Sequence, residues 1–151
     1  MKIEPRPRLT RDEYGLKLAT SAAEMADCTR RKVGAAIVHP TTHQVISMGY
    51  NGLAAGKPGC LTAGACPRGQ LSYTEQPPDV GYEATGCRSI HAEVNAILWG
   101  GGRPGCSGMT MYITDEPCFH CSVVIEGAGL ARVVWPLRTR LGDIPQERQL
   151  W

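Results

Sequence analysis

The sequence predicts an α/β fold: a mixed β-sheet covered by helices in α-β-α layers, with an ordered loop insertion, built as a single domain over residues 1–151. Three observations lead there. A chain of 151 residues is one domain's worth. Its hydrophobic periodicity changes in the order α-β-β and then α-β-α-β. The closing β-α-β unit demands a parallel strand pair, whereas the first two strands are too close in sequence to be anything but antiparallel.

The elements follow in chain order. Thr10-Arg11-Asp12-Glu13 has capping-box spacing, and Tyr14, Leu18, Ala22 and Ala26 then recur on one face, predicting a helix over about 10–27. Val33 to Val38 and Val45 to Tyr50 are short β-rich runs joined by Pro40-Thr41-Thr42-His43, which reads as a hairpin. From Asn51 to Arg88 the chain turns to Gly, Pro, Cys and polar residues with no period, so something other than an apolar core must order it. His91 to Trp99 reads as a helix stopped by Gly100-Gly101-Gly102, and Met109 to Thr114 as a strand. A second helix has Pro117 in its first turn and ends at Gly127 to Gly129, before a strand at Arg132 to Trp135. The two crossover helices are expected on one face of the sheet, and residues 136–151 carry no readable pattern.

Composition narrows the function classes. The 16 Lys and Arg against 14 Asp and Glu leave a net charge of +2, which excludes a strongly basic nucleic-acid coat and an acidic disordered tail. No run of about 18 apolar residues and no secretory leader is visible, so a cytoplasmic protein with no membrane partner is expected. Seven cysteines are many for that compartment, where disulfides are kept reduced. Metal binding is the alternative.

His91-Ala92-Glu93 opens one helix and Pro117-Cys118-Phe119-His120-Cys121 opens the next, so an imidazole, two thiols and a carboxylate can converge at neighbouring helix starts. Three ligands of the His, Cys, Cys kind leave a tetrahedral zinc one position for water, the arrangement of a catalytic site. Glu93, not itself a ligand, is placed to carry protons. H-x-E followed by P-C-x-x-C is the general signature of zinc deaminases acting on cytosine and adenine. Alone, C-x-x-C is as often a structural knuckle or redox pair, and H-x-E merely a helix start. His120, between the thiols, is read as a residue beside the ligands or on the surface and not as a third ligand.

Together with Gly49-Tyr50-Asn51-Gly52, Lys32-Val33-Gly34-Ala35 and His91 to Leu98, these motifs resemble the deoxycytidylate (dCMP) deaminases, within the cytidine deaminase superfamily, from about Cys28 to Trp135. The resemblance implies a cytidine deaminase-like sheet. It also implies that the Asn51-Gly52 loop binds the sugar and phosphate of a deoxynucleoside monophosphate, and that backbone at Ala92 helps hold the base. Ala54 stands where members commonly have proline, and the tail after Trp135 is short. Members are often hexamers regulated by dCTP and dTTP; a homo-oligomer is implied here, while these departures leave the regulation open.

Setting aside Cys118 and Cys121 leaves Cys28, Cys60, Cys66, Cys87 and Cys106. Four thiolates suffice for a closed structural zinc that would order the long loop. Some members of the resembled family carry such a second zinc; Cys28 and Cys60 match its ligand positions, with Cys66 and Cys87 as substitutes for ligands supplied elsewhere by histidine. The competing reading is that some of these are buried small hydrophobes. Cys106 is read as unliganded.

Arg30, Arg31, Lys32 and Arg88 lie near the motifs, and Arg31 is the candidate phosphate contact, against the plainer reading of a solvated basic face. The expected reaction is zinc-dependent hydrolysis of dCMP to dUMP and ammonia. A deaminase of another cytosine or adenine substrate, such as a 5-substituted dCMP, single-stranded DNA or tRNA, is the alternative. The nucleic-acid substrates require an aromatic-lined basic groove, to which Trp99, Trp135 and Trp151 are the tryptophans available. A zinc-stabilised binding module without activity is the third reading, disfavoured by Glu93.

Overall fold

The structure, a computed structural model, describes residues 1–68, 82–140 and 142–150. The part of the long loop at 69–81 and Trp151 lie outside them. Five strands form one mixed sheet in the order β2-β1-β3-β4-β5. They are β1 (Gly34–Val38), β2 (Val45–Tyr50), β3 (Thr110–Ile113), β4 (Arg132–Thr139) and β5 (Gly142–Gln149). Only the β3–β4 pair is parallel, as the intervening helix requires; the other neighbours are antiparallel.

Alternation along the strands separates two cores. Ala35, Ile37, Met111, Ile113 and Val133 face α3 (Ala92–Trp99) and α5 (Phe119–Gly127), where Ala96, Ile97, Cys121 and Ile125 are buried. Ala36, Val38, Tyr112 and Val134 face α1 (Arg11–Ala23), which contributes Ala19. The two crossover helices therefore share one face, as expected, and every residue of β1 is buried between the layers.

Several boundaries differ from expectation. Thr10 and Glu13 do form the capping box, but α1 ends at Ala23 and not near 27. Beyond it the chain is drawn aside: the Asp27 amide donates to the Asn51 carbonyl (3.1 Å), and the Asp27 carboxylate accepts from the amides of Gly59 (2.9 Å) and Thr62 (2.7 Å). Those bonds fix a one-turn helix, α2 (Cys60–Ala63), inside the segment read as aperiodic. A 3₁₀ turn follows at Tyr82–Thr85. Gly100 to Gly102 do stop α3, yet a second short helix, α4 (Gly102–Cys106), starts at once. Pro117 lies before α5 and not in its first turn, because Cys118 is the N-cap. The unassigned tail completes β4 and adds β5 as an antiparallel hairpin at the sheet edge.

Candidate active site

Two helix starts meet on the α3/α5 face. His91 is the N-cap residue of α3, in extended backbone, and its side chain makes no capping bond. The ring instead points to α5, with Nδ1 3.3 Å from Cys121 Sγ and 3.7 Å from Cys118 Sγ. Cys118 caps α5, its sulfur accepting from the Cys121 amide at 3.4 Å. Close backbone packing sets this approach. A Cβ on Gly49 of β2 would lie 2.3 Å from the Ala96 nitrogen and 2.4 Å from the Ala92 carbonyl oxygen, so glycine lets α3 sit directly on the strand.

The three ligand atoms lie within 4.8 Å of one another. Burial raises the Cys121 thiol above its ordinary range, with the neighbouring Glu93 and Cys118 adding to the effect. One imidazole and two crowded thiols suit a zinc ion, whose charge favours the thiolate forms that the apolar surroundings oppose. Glu93, in the first turn of α3, is 4% exposed and contacts Cys121. Burial holds its carboxyl above the usual carboxylate range, opposed by a hydrogen bond from its own backbone amide and by His91.

A cavity of about 310 Å³ opens onto this centre, lined by His91, Ala92, Glu93 and Cys118 at one end and by Arg30, Arg31 and Asn51 elsewhere. Asn51 is buried; its Oδ1 accepts from the Val33 amide and its Nδ2 donates to the Arg31 carbonyl, both at 2.8 Å. Gly52 does not line the cavity. Its amide and carbonyl pair with Ile90, binding the loop to the residue before His91. Of the four cations singled out from sequence, Arg30 and Arg31 line the cavity, whereas Lys32 pairs with Glu24 and Arg88 is exposed outside the lining.

Cys28, Cys60, Cys66 and Cys87 line the same cavity. Burial raises the Cys60 thiol, and its neighbour and hydrogen-bond partner Cys66 adds to the effect, followed by Cys28 and Cys87. The four sulfurs do not close to the spacing of the His91 group, which among the described residues is the one set of three or more candidate ligands within 4.8 Å. Cys106 is fully buried with its thiol toward the Ile97 carbonyl (3.8 Å), outside the cavity lining. His120 is exposed and stacks edge-on with Phe119.

Sequence reasoning missed Asp27, Arg68, Ser89 and Asp115, which also line the cavity. Their positions carry no motif spacing, and only the folded contacts bring them together.

A family model described as the cytidine and deoxycytidylate deaminase zinc-binding region matches residues 9–137, which include all of the helix-start motifs above. The chain belongs to this family. Among members of the cytidine and deoxycytidylate deaminase family, a deoxycytidylate deaminase of Mycobacterium phage D29 is 44% identical over 125 residues, covering 83% of this chain and 93% of that protein. A deoxycytidylate deaminase of Schizosaccharomyces pombe is 34% identical, covering 82% of this chain but 36% of its own length. Among solved structures, the dCMP deaminase of cyanophage S-TIM5 in complex with dCMP and dUMP superposes with a TM-score of 0.58 at 25% identity, covering 82% of this chain and 78% of that one. The mixed five-stranded sheet with its flanking helices is thus the family's fold. No helix among the described residues is long and apolar enough to cross a membrane.

Proposed function

We propose that this protein is a zinc-dependent hydrolase that converts dCMP and water to dUMP and ammonia. The observation carrying the proposal is the convergence of His91, Cys118 and Cys121 within 4.8 Å beside the buried, non-ligating Glu93. The substrate comes from the relatives: the phage D29 protein at 44% identity is a deoxycytidylate deaminase, and the cyanophage neighbour was solved with dCMP and dUMP.

His91, Cys118 and Cys121 would hold the zinc, which when bound activates water near neutral pH. Glu93 accepts a proton from the attacking water as its oxygen bonds to C4 of the pyrimidine, and delivers that proton to N3. It then moves the second proton to the exocyclic amine, which leaves as ammonia and restores the carboxylate. The walls of the pocket exclude bulk solvent around this carboxyl. In this reading Ala92 helps hold the base, the Asn51-Gly52 loop takes the sugar and Arg31 meets the phosphate, supported by the presence of Ala92, Asn51 and Arg31 in the cavity lining and by the pairing of Gly52 with Ile90 beside it. Glu93→Ala is expected to retain the zinc while turnover drops by at least about 100-fold. Ammonia release assayed with metal content measured in parallel checks this; unchanged turnover removes Glu93 from its role.

A second, structural zinc on Cys28, Cys60, Cys66 and Cys87 is part of the same proposal, supported by the four thiols sharing one cavity wall. Elemental analysis should then give two zinc per chain, and one would sink it. Exposed Leu98, Trp99 and Phe119 support a homo-oligomer, for which the family suggests a hexamer, and a cytoplasmic location suits the substrate. Regulation by dCTP or dTTP is to be read from titrations of the same assay. Against a DNA or tRNA substrate, the described lining of the cavity carries no aromatic side chain on which flanking bases could stack.

A further inference from the structure

One ion-pair arrangement joins Arg31 to two residues that have no part in the chemistry above, Asp115 and Arg138. Asp115 lies in the segment between β3 and α5, three residues before Cys118, and its side chain is 18% exposed. One carboxylate oxygen is 3.3 Å from Arg31 Nε and the other 3.8 Å from Arg138 Nη2, although the two guanidinium side chains are themselves 65% and 71% exposed. Three separate elements meet at this carboxylate: the entry to β1, the approach to the zinc-site helix α5, and β4.

Position relative to the reaction centre gives the arrangement its meaning. Arg31 and Asp115 line the same cavity as Glu93, which is 4% exposed at the inner end. The well-exposed Arg31 therefore marks the outer end of a path that starts at the proton carrier. An exposed arginine on its own samples many rotamers, and immobilising it costs binding energy that a pre-formed partner removes in advance. With one acid between two arginines, the cluster keeps a net positive charge. Arg31 meets Asp115 through Nε, so the terminal nitrogens of its fork can face a second oxyanion.

We propose that Asp115 is a positioning residue that holds the cavity-lining Arg31 guanidinium, with Arg138 on its other oxygen just outside the lining, as a clamp for the 5′-phosphate of the substrate. The clamp selects a nucleoside monophosphate over the free nucleoside. This rests on the reading of the site as a nucleotide deaminase, and the experiment keeps the two apart.

Asp115→Asn preserves shape and removes the charge. With the zinc-loaded enzyme, KM for dCMP and the inhibition constant of dUMP should each rise about tenfold, while kcat changes by less than about twofold. The inhibition constant of deoxyuridine, which lacks the phosphate, should not move. Asp115→Glu should recover part of the loss. A purely structural role would shift dUMP and deoxyuridine alike, and that result overturns the clamp, as does tighter dUMP binding by Asp115→Asn. If the wild type fails to turn over dCMP yet dUMP binding still responds selectively to Asp115→Asn, the clamp stands and the assigned reaction falls.

Discussion

Asn51 shows how one side chain can serve the site without touching the reacting atoms. Its amide is both donor and acceptor, and the fold uses both, reaching the Arg31 carbonyl and the Val33 amide across the residue that leads into β1. This holds the backbone of Arg31 beside the cavity, so the loop read from Gly49-Tyr50-Asn51-Gly52 acts in part by placing a cation. Aspartate is nearly isosteric but cannot donate. Asn51→Asp would leave the Arg31 carbonyl facing a carboxylate in a site that is 8% exposed, at a cost of about 1–3 kcal/mol. The melting temperature should fall on the order of 5 °C, with KM for dCMP rising as Arg31 is released. Differential scanning calorimetry alongside steady-state kinetics reads both, and an unchanged melting temperature would show that the amide bonds do not hold the loop.

At the level of elements, catalysis depends on where α3 rests. Ser47 Oγ donates to the Ala96 carbonyl at 2.7 Å and Asn95 Nδ2 to the Tyr50 carbonyl at 2.8 Å, but the approach is possible only because Gly49 has no side chain. A methyl at Gly49 would press on helix backbone that has no rotamer to move away. Gly49→Ala should therefore destabilise the protein by about 1–3 kcal/mol and displace His91, seen as reduced zinc retention on dialysis; full retention with wild-type stability would contradict it. This seating also explains what was legible in the sequence. His91, Glu93, Cys118 and Cys121 could be read because each pair is local to a helix start. Asp27 and Asp115 could not be read, since their partners at Thr62 and Arg138 are far along the chain and follow no period. The strand β5 was hidden for another reason: seven of its eight residues are exposed and it contains Pro145, so only its pairing with β4 makes it a strand. An edge position tolerates that proline. α5 starts at Phe119, two residues beyond the Pro117 that marks its first turn in the sequence, because the Cys118 sulfur supplies the cap.

Across the whole molecule, one polar junction ties the α1 layer to the far edge of the sheet. Arg132 of β4 grips the Asp12 carboxylate through Nη1 and Nη2, both at 2.7 Å, and also pairs with Glu147 of β5. Tyr112 of β3 donates its hydroxyl to the same Asp12 at 3.0 Å. The helix start, the central sheet and the C-terminal hairpin are thereby linked through groups up to 120 residues apart. Their titrations bound the pH range of stability. The hydrogen bond from Arg132 holds Asp12 below its ordinary value, so the unfolded chain takes up this proton first on acidification. Its contribution is complete above about pH 4 and is lost as pH falls through the lower folded value. Tyr112 is shifted the opposite way, to about 12, by burial and then by its bond to Asp12. Its neutral form is favoured by the fold, so the contribution is whole below about pH 10 and disappears as pH rises through about 12. The alkaline loss attributable to this one group is on the order of 2 kcal/mol. Tyr112→Phe keeps the ring in its core and removes the titration. Denaturant unfolding at pH 8 to 12 should show the wild type losing stability more steeply than Tyr112→Phe, the two curves converging toward the alkaline end; parallel curves would mean that the hydroxyl titrates equally in both states and that the junction owes nothing to it.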